Sequence, residues 1–122
     1  MLSSGKKRYL FAIYELGQEG VAVRSKDIAA SLSVKRPSVS KMLGNLAEDG
    51  FIDKEYYGTV TFTAEGARLS NRLYTSYLLL FRFFHERLGL PEPDARHDAI
   101  VCLCNLSDGG VDRLSSRMLE PT

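Results

Sequence analysis

The run Lys35-Arg36-Pro37-Ser38-Val39-Ser40-Lys41 sets three cations and two hydroxyls around one proline. Hydroxyl, ammonium and guanidinium groups at the start of a helix suit hydrogen bonds to base edges and phosphate oxygens. The wider stretch Arg24 to Lys41 holds five basic residues against one acid, Asp27. A second group of reactive types is His97, Asp98, Cys102 and Cys104, with His85 before it. These could ligate a metal or, through the thiols, respond to redox state. Helical spacing works against both: positions i and i+2 diverge by roughly 200°, and His97 stands two turns from Cys104. No Lys or Arg adjoins either cysteine to lower its pKa. Two buried thiols and two exposed histidines are therefore expected, with a metal or thiol-redox site around His97, Cys102 and Cys104 as the alternative. Ser38 and Ser40 beside Lys41 suggest a Ser-Lys nucleophile only until their place at a helix start is considered. With no glycine-rich phosphate loop and no Ser/His/Asp or Cys/His arrangement, the chain does not read as an enzyme.

Composition supports a folded, reduced, non-membrane protein. The 122 residues are 44% apolar and 25% charged, enough to bury a core without disulfides or zinc. Sixteen basic residues face 15 acidic ones, a balance that excludes disorder and a wholesale polyanion binder, so any nucleic-acid contact must be local. No stretch reaches the ~18 apolar residues of a membrane span. The N-terminal residues show basic side chains but no apolar segment and no small-residue cleavage site, so no export signal and a cytoplasmic location are expected. Two cysteines one residue apart fit reduced thiols in a cytosol.

Periodicity gives the elements that hold these groups. An apolar stripe over Lys6 to Leu16 predicts a helix closed by Gly17 and Gly20. Ser25 reads as the N-cap of a short helix with Ile28, Ala29 and Leu32 on one face and Asp27 in its first turn. Ser33 to Arg36 is a short polar connection, and Pro37 reads as the first residue of the next helix. Val39, Met42, Leu43 and Leu46 form that helix's inner side, and Asp49-Gly50 ends it. Two β-rich runs, Phe51 to Tyr56 and Thr59 to Thr63, predict a two-stranded hairpin around Tyr57-Gly58. A long helix follows from Thr63 or Ala64 to about Leu88. Beyond the Gly89-to-Pro93 break come a helix from Asp94 to about Leu106, a turn at Asp108-Gly109-Gly110, and a last helix from Val111 to Leu119.

This order is mainly α with a small β-hairpin: a winged helix-turn-helix over residues 1–63 followed by a helical dimerisation domain over 64–122. The outer face of the second paired helix offers Ser38, Lys41 and Asn45, with Lys35, Arg36, Pro37 and Ser40 around its start. Lys54, Tyr56 and Tyr57 at the hairpin tip are placed to follow the backbone of a flanking groove. Double-stranded DNA is the partner these groups fit. The apolar runs Leu78-Leu79-Leu80-Phe81 and Phe83-Phe84 exceed what one monomer covers and predict a homodimer.

Val34 to Leu43, with Asp27-Ile28-Ala29 before it, Gly50-Phe51-Ile52 after it and Thr63-Ala64-Glu65-Gly66 opening the long helix, resembles the iron- and manganese-dependent repressors typified by the diphtheria toxin repressor and the manganese transport regulator. Ile13-Tyr14-Glu15-Leu16, Leu88-Gly89-Leu90 and Leu106-Ser107-Asp108 extend the resemblance over nearly the whole chain. It implies a homodimeric transcriptional repressor acting on an operator with two half-sites, in the short two-domain form that lacks an SH3-like domain. It also implies divalent manganese or iron as cofactor, joining the first helix to the dimerisation domain.

On this chain the family's ligand positions fall near Arg8, Phe11, Tyr77, Ile100, Leu103 and Cys104. Arg8 is a cation, Phe11, Ile100 and Leu103 have no donor atom, Tyr77 is a poor ligand for these metals, and Cys104 alone cannot hold one. The expectation is a DNA-binding regulator with its usual metal ligands lost and no cofactor, Arg8 standing over the Tyr77 ring instead. The alternative is a dimeric winged-helix protein-interaction module without operator binding.

Overall fold

The computed structural model describes residues 2–54 and 58–119, and the chain folds as two compact units, Met1–Asn71 and Arg72–Thr122. The first two turns of the long helix thus belong with the first unit.

In the first unit, α1 (Ser4–Leu16) begins where the Ser3 hydroxyl accepts the Lys6 amide at 3.2 Å, and it stops at Gly17. Its inner face, Leu10, Phe11 and Ile13, is buried. Val23–Arg24 forms β1, α2 spans Ser25–Leu32 and α3 spans Arg36–Glu48. Two boundaries move by one residue from the expected ones. Arg24, not Ser25, is the N-cap of α2, because Asp27 reaches back and accepts the Arg24 amide at 3.0 Å. Arg36, not Pro37, opens α3; Pro37 sits second, where its missing N–H is still harmless. Between the two helices Ser33 takes a left-handed conformation (φ 55, ψ 44), and the Val34 amide bonds back to the Ala29 carbonyl at 3.1 Å. That one residue produces the tight turn, at a modest backbone cost.

The end of α3 is fixed by two crossed hydrogen bonds. Gly50 (φ +84) donates to Ala47 and Phe51 donates to Leu46, each at 3.0 Å, the pattern of a glycine-terminated helix. Strand β2 (Ile52–Lys54) then pairs antiparallel with β3 (Thr59–Phe62). The hairpin is not two-stranded: β1 pairs with the other edge of β3, Val23 facing Val60, which gives a sheet of order β1-β3-β2. Val23 and Val60 are both buried, so closing this edge covers apolar surface as well as pairing backbone groups. Tyr56 and Tyr57 lie outside the described residues.

Helix α4 (Ala64–Arg82) starts at a crowded corner. The Thr63 hydroxyl donates to the Gly50 carbonyl at 2.7 Å and accepts the Gly66 amide at 3.0 Å, while the Thr63 amide donates to the Phe51 carbonyl at 3.1 Å. Gly66 is buried beneath that same carbonyl, and a Cβ there would lie inside the van der Waals sphere of the Phe51 oxygen. One threonine and one glycine thereby lock the end of α3, the sheet and α4 together.

In the second unit α4 passes into a π-helical turn, Phe83–Arg87, closed by the Leu88 amide on the Phe83 carbonyl at 3.1 Å. Helix α5 runs Glu92–Asn105 and α6 runs Asp108–Leu119. The residues Asp108-Gly109-Gly110 are therefore not a turn but the first turn of α6. Ser107 makes the difference, its hydroxyl accepting the Gly110 amide at 3.0 Å. A bidentate pair, Arg72 to Asp112 at 3.1 Å to both oxygens, ties α6 to α4. Ala95, Ala99, Ile100, Leu103 and Val111 are buried in this unit.

Candidate nucleic-acid interface

Helix α3 divides cleanly by burial. Val39, Leu43 and Leu46 are wholly buried and Met42 is half-buried. Every polar residue singled out on the other side, Ser38, Ser40, Lys41 and Asn45, is exposed, as are Lys35, Arg36 and Pro37 at its start. A periodicity of about 3.6 residues forces this outcome once one face is apolar. The aliphatic face holds the helix in the core, and the opposite face is left entirely to hydrogen-bonding and cationic groups.

The charges on this face are available. Among the described residues, none of Arg24, Lys26, Lys35, Arg36 and Lys41 makes an ion pair, although Lys6 does, with Asp49 at 2.6 Å. The single acid of the segment, Asp27, is half-buried and turned onto the Arg24 amide. The local excess of positive charge is thus presented to solvent and not cancelled within the fold. Lys54 is the last residue of β2, while Tyr57 cannot be placed because it lies outside the described residues.

The Lys6–Asp49 pair joins α1 to the residue that ends α3, and reading the sequence locally misses it because the partners are 43 residues apart. Tyr14, half-buried on α1, accepts a hydrogen bond from Asn71 at 2.8 Å and lies 6.5 Å, ring to ring, from Phe62. The fixed contacts of α1 therefore reach the end of α3, the end of β3 and the first part of α4.

Phe11 and Leu103 are wholly buried, and Tyr77, Ile100 and Cys104 are 5%, 6% and 6% exposed. Within the second unit Arg96 stands on the Tyr77 ring, its guanidinium 5.7 Å from the ring centre and donating to the phenol oxygen at 3.1 Å. Arg8 stands 6.0 Å from the Phe11 ring in its own helix. Among the described residues no three His, Cys, Asp or Glu side chains converge as a metal would require. Around the cysteines, His85 and His97 are exposed, Cys102 is half-buried and Cys104 is buried. Burial pushes the Cys102 thiol up from its ordinary value, which makes the thiolate scarcer and the redox alternative weaker.

Residues 1–60 match a family described as "Iron dependent repressor, N-terminal DNA binding domain". The chain is 33% identical over 106 residues to the HTH-type transcriptional regulator MntR of Geobacillus thermodenitrificans, covering 87% of this chain and 74% of that protein. It is 30% identical over 114 residues to the MntR of Bacillus subtilis, covering 93% and 80%. Among solved structures it is similar to a manganese-dependent transcriptional repressor in complex with manganese, with a TM-score of 0.80 at 26% identity. It is also similar to the manganese regulator SloR, with a TM-score of 0.77 at 29% identity. Each likeness covers 95% of this chain but only 53% and 54% of those chains, so the chain spans about half their length. Among the described residues no helix is long and apolar enough to cross a membrane.

Proposed function

Since the chain belongs to the iron-dependent repressor family of DNA-binding transcriptional regulators, which are not enzymes, we propose that it is a sequence-specific repressor whose binding to its operator needs no metal. The single observation that carries the DNA reading is the outer face of α3: four exposed polar side chains, flanked by cations with no ion pair, over a wholly buried aliphatic face. Ser38, Lys41 and Asn45 read base edges in the major groove, and Lys35, Arg36, Pro37 and Ser40 meet the phosphate backbone beside it. Lys54 and Tyr57 are assigned, from the sequence, to the phosphate backbone of a flanking groove. The protein works in the cytoplasm, where its DNA is.

The experiment is duplex binding as a function of salt. Affinity falls steeply as salt rises, the logarithmic slope losing about 0.9 for each phosphate contact removed. Ser38→Ala or Lys41→Ala weakens specific binding by about 1–3 kcal/mol, whereas Arg36→Ala weakens all sequences alike. If all three variants bind like the parent, α3 is not the reading element; if the parent binds no duplex, the chain is an interaction module.

The apolar side chains that the second unit leaves uncovered support homodimerisation. Leu78 is 43% exposed, Phe83 38%, Leu88 57% and Val101 47%, large apolar side chains that a partner surface would cover. A second copy covers it, and the two copies address two half-sites. Light scattering at micromolar concentration is expected to give twice the 13.6 kDa chain mass; a monomer mass removes the two-half-site arrangement.

The metal-free reading rests on the donor set. Phe11, Ile100 and Leu103 offer no donor, Arg8 repels a cation, and the Tyr77 oxygen already accepts from Arg96. These residues do not fit a divalent manganese or iron ion. Operator affinity is expected to be the same in chelator and in manganese; affinity lost in chelator and restored by manganese refutes it.

A further inference from the structure

We infer that Arg96 is the resident cation of the second unit: its guanidinium holds the phenol oxygen of Tyr77 and shuts that position to divalent ions. The inference rests on the metal-free reading above and adds the residue responsible. Arg96 Nη1 donates to Tyr77 Oη at 3.1 Å, and the guanidinium lies 5.7 Å from the ring centre, so one side chain engages both the lone pairs and the π face. The ring cannot turn away to meet another ion. Tyr77 is 5% exposed and its ring lies between those of Tyr74 at 5.6 Å and Phe81 at 6.0 Å, along one face of α4. An ion brought to the phenol oxygen would stand at hydrogen-bond range from a guanidinium, like charge against like charge. Arginine stays protonated at any pH a protein survives, so this cation is never released. A metal ion equilibrates with its surroundings; Arg96 is covalently part of the chain and present at all times.

Two measurements on the whole chain test this, and neither involves DNA, so the absence of an operator leaves both intact. The first is urea unfolding in EDTA and in millimolar manganese, with a calorimetric titration of manganese alone. The midpoint is expected to be the same in both buffers and the titration to show no saturable heat. Saturable binding that raises the midpoint and is reversed by chelator overturns the inference. The second is a cycle of R96M, Y77F and the double variant. R96M and Y77F each lower the midpoint, and the double variant falls by less than the sum of the two, because both substitutions remove the same contact. Strictly additive shifts would mean that the two groups act separately and would overturn it. Should R96M not fold, R96L, which also removes the donor, forms the cycle with Y77F, with the same expected coupling and the same refutation.

Discussion

Gly66→Ala is expected to destabilise the first unit by about 3 kcal/mol or more, at the upper end of what overpacking costs and well above an ordinary point change. The added methyl group would overlap the Phe51 carbonyl oxygen and press on its carbon. These are backbone atoms, so the strain cannot be relieved by a rotamer change. That carbonyl also accepts the Thr63 amide, and Thr63 in turn binds the Gly50 carbonyl. Moving it apart would loosen the end of α3, the sheet and the start of α4 at once. In a domain this small the midpoint of thermal unfolding should drop by about 4–8 °C per kcal/mol, with DNA affinity falling alongside. Gly109→Ala is the control. It lies in the first turn of α6 with nothing within 4 Å of the new Cβ, and alanine is the better helix former by about 1 kcal/mol. An unchanged midpoint for Gly66→Ala would show that the corner is more open than described.

Leu103→Glu should cost several kcal/mol and should not be rescued by manganese. Leu103 is wholly buried on α5, and a carboxylate placed there exchanges favourable apolar burial for an uncompensated charge. The sign of its pH dependence follows. Burial raises the folded-state pKa of the new carboxyl above the ordinary value of about 4.3. The native state then holds its proton longer than the unfolded chain, so the loss of stability is small below that value and grows as pH rises through the neutral range. One donor does not make a site: Ile100 still has none, and the Tyr77 oxygen stays with Arg96. Urea midpoints at pH 4 and pH 7, with and without manganese, check this. A midpoint at pH 7 restored by manganese would reveal ligands elsewhere on the chain.

Whatever is local and periodic is legible in the order of the residues. The stripe Val39, Met42, Leu43 and Leu46 specifies which side of α3 is buried, and the outer-face residues then follow by subtraction. Asp49-Gly50 marks the end of that helix because a left-handed backbone there favours glycine. What escaped depends on distant partners or on very short elements. Strand β1 has only two residues, too few for alternation, and exists because β3 has an edge to fill. Gly109 and Gly110 read as a turn from their poor helix propensity, which a single capping hydroxyl on Ser107 overrides. Arg96 and Tyr77 sit on separate helices, 19 residues apart, and no spacing rule links them.

The pairing of Val23 with Val60 has a consequence for how the chain is made. Helices α1, α2 and α3 contact one another along a continuous stretch ending at Glu48, and each of their turns can close as it is synthesised. The sheet cannot. Its first strand precedes the paired helices and its central strand follows them, so a chain emerging from the ribosome exposes Val23 until residues 59–62 have cleared the exit. The corner built by Thr63 and Gly66 comes later still. Loop closure over this span must be met before the non-local contacts stabilise anything. A nascent chain arrested just after Asp49 would therefore carry α3 without the lock that ends it, and protease would cut it more readily than a chain arrested after Asn71.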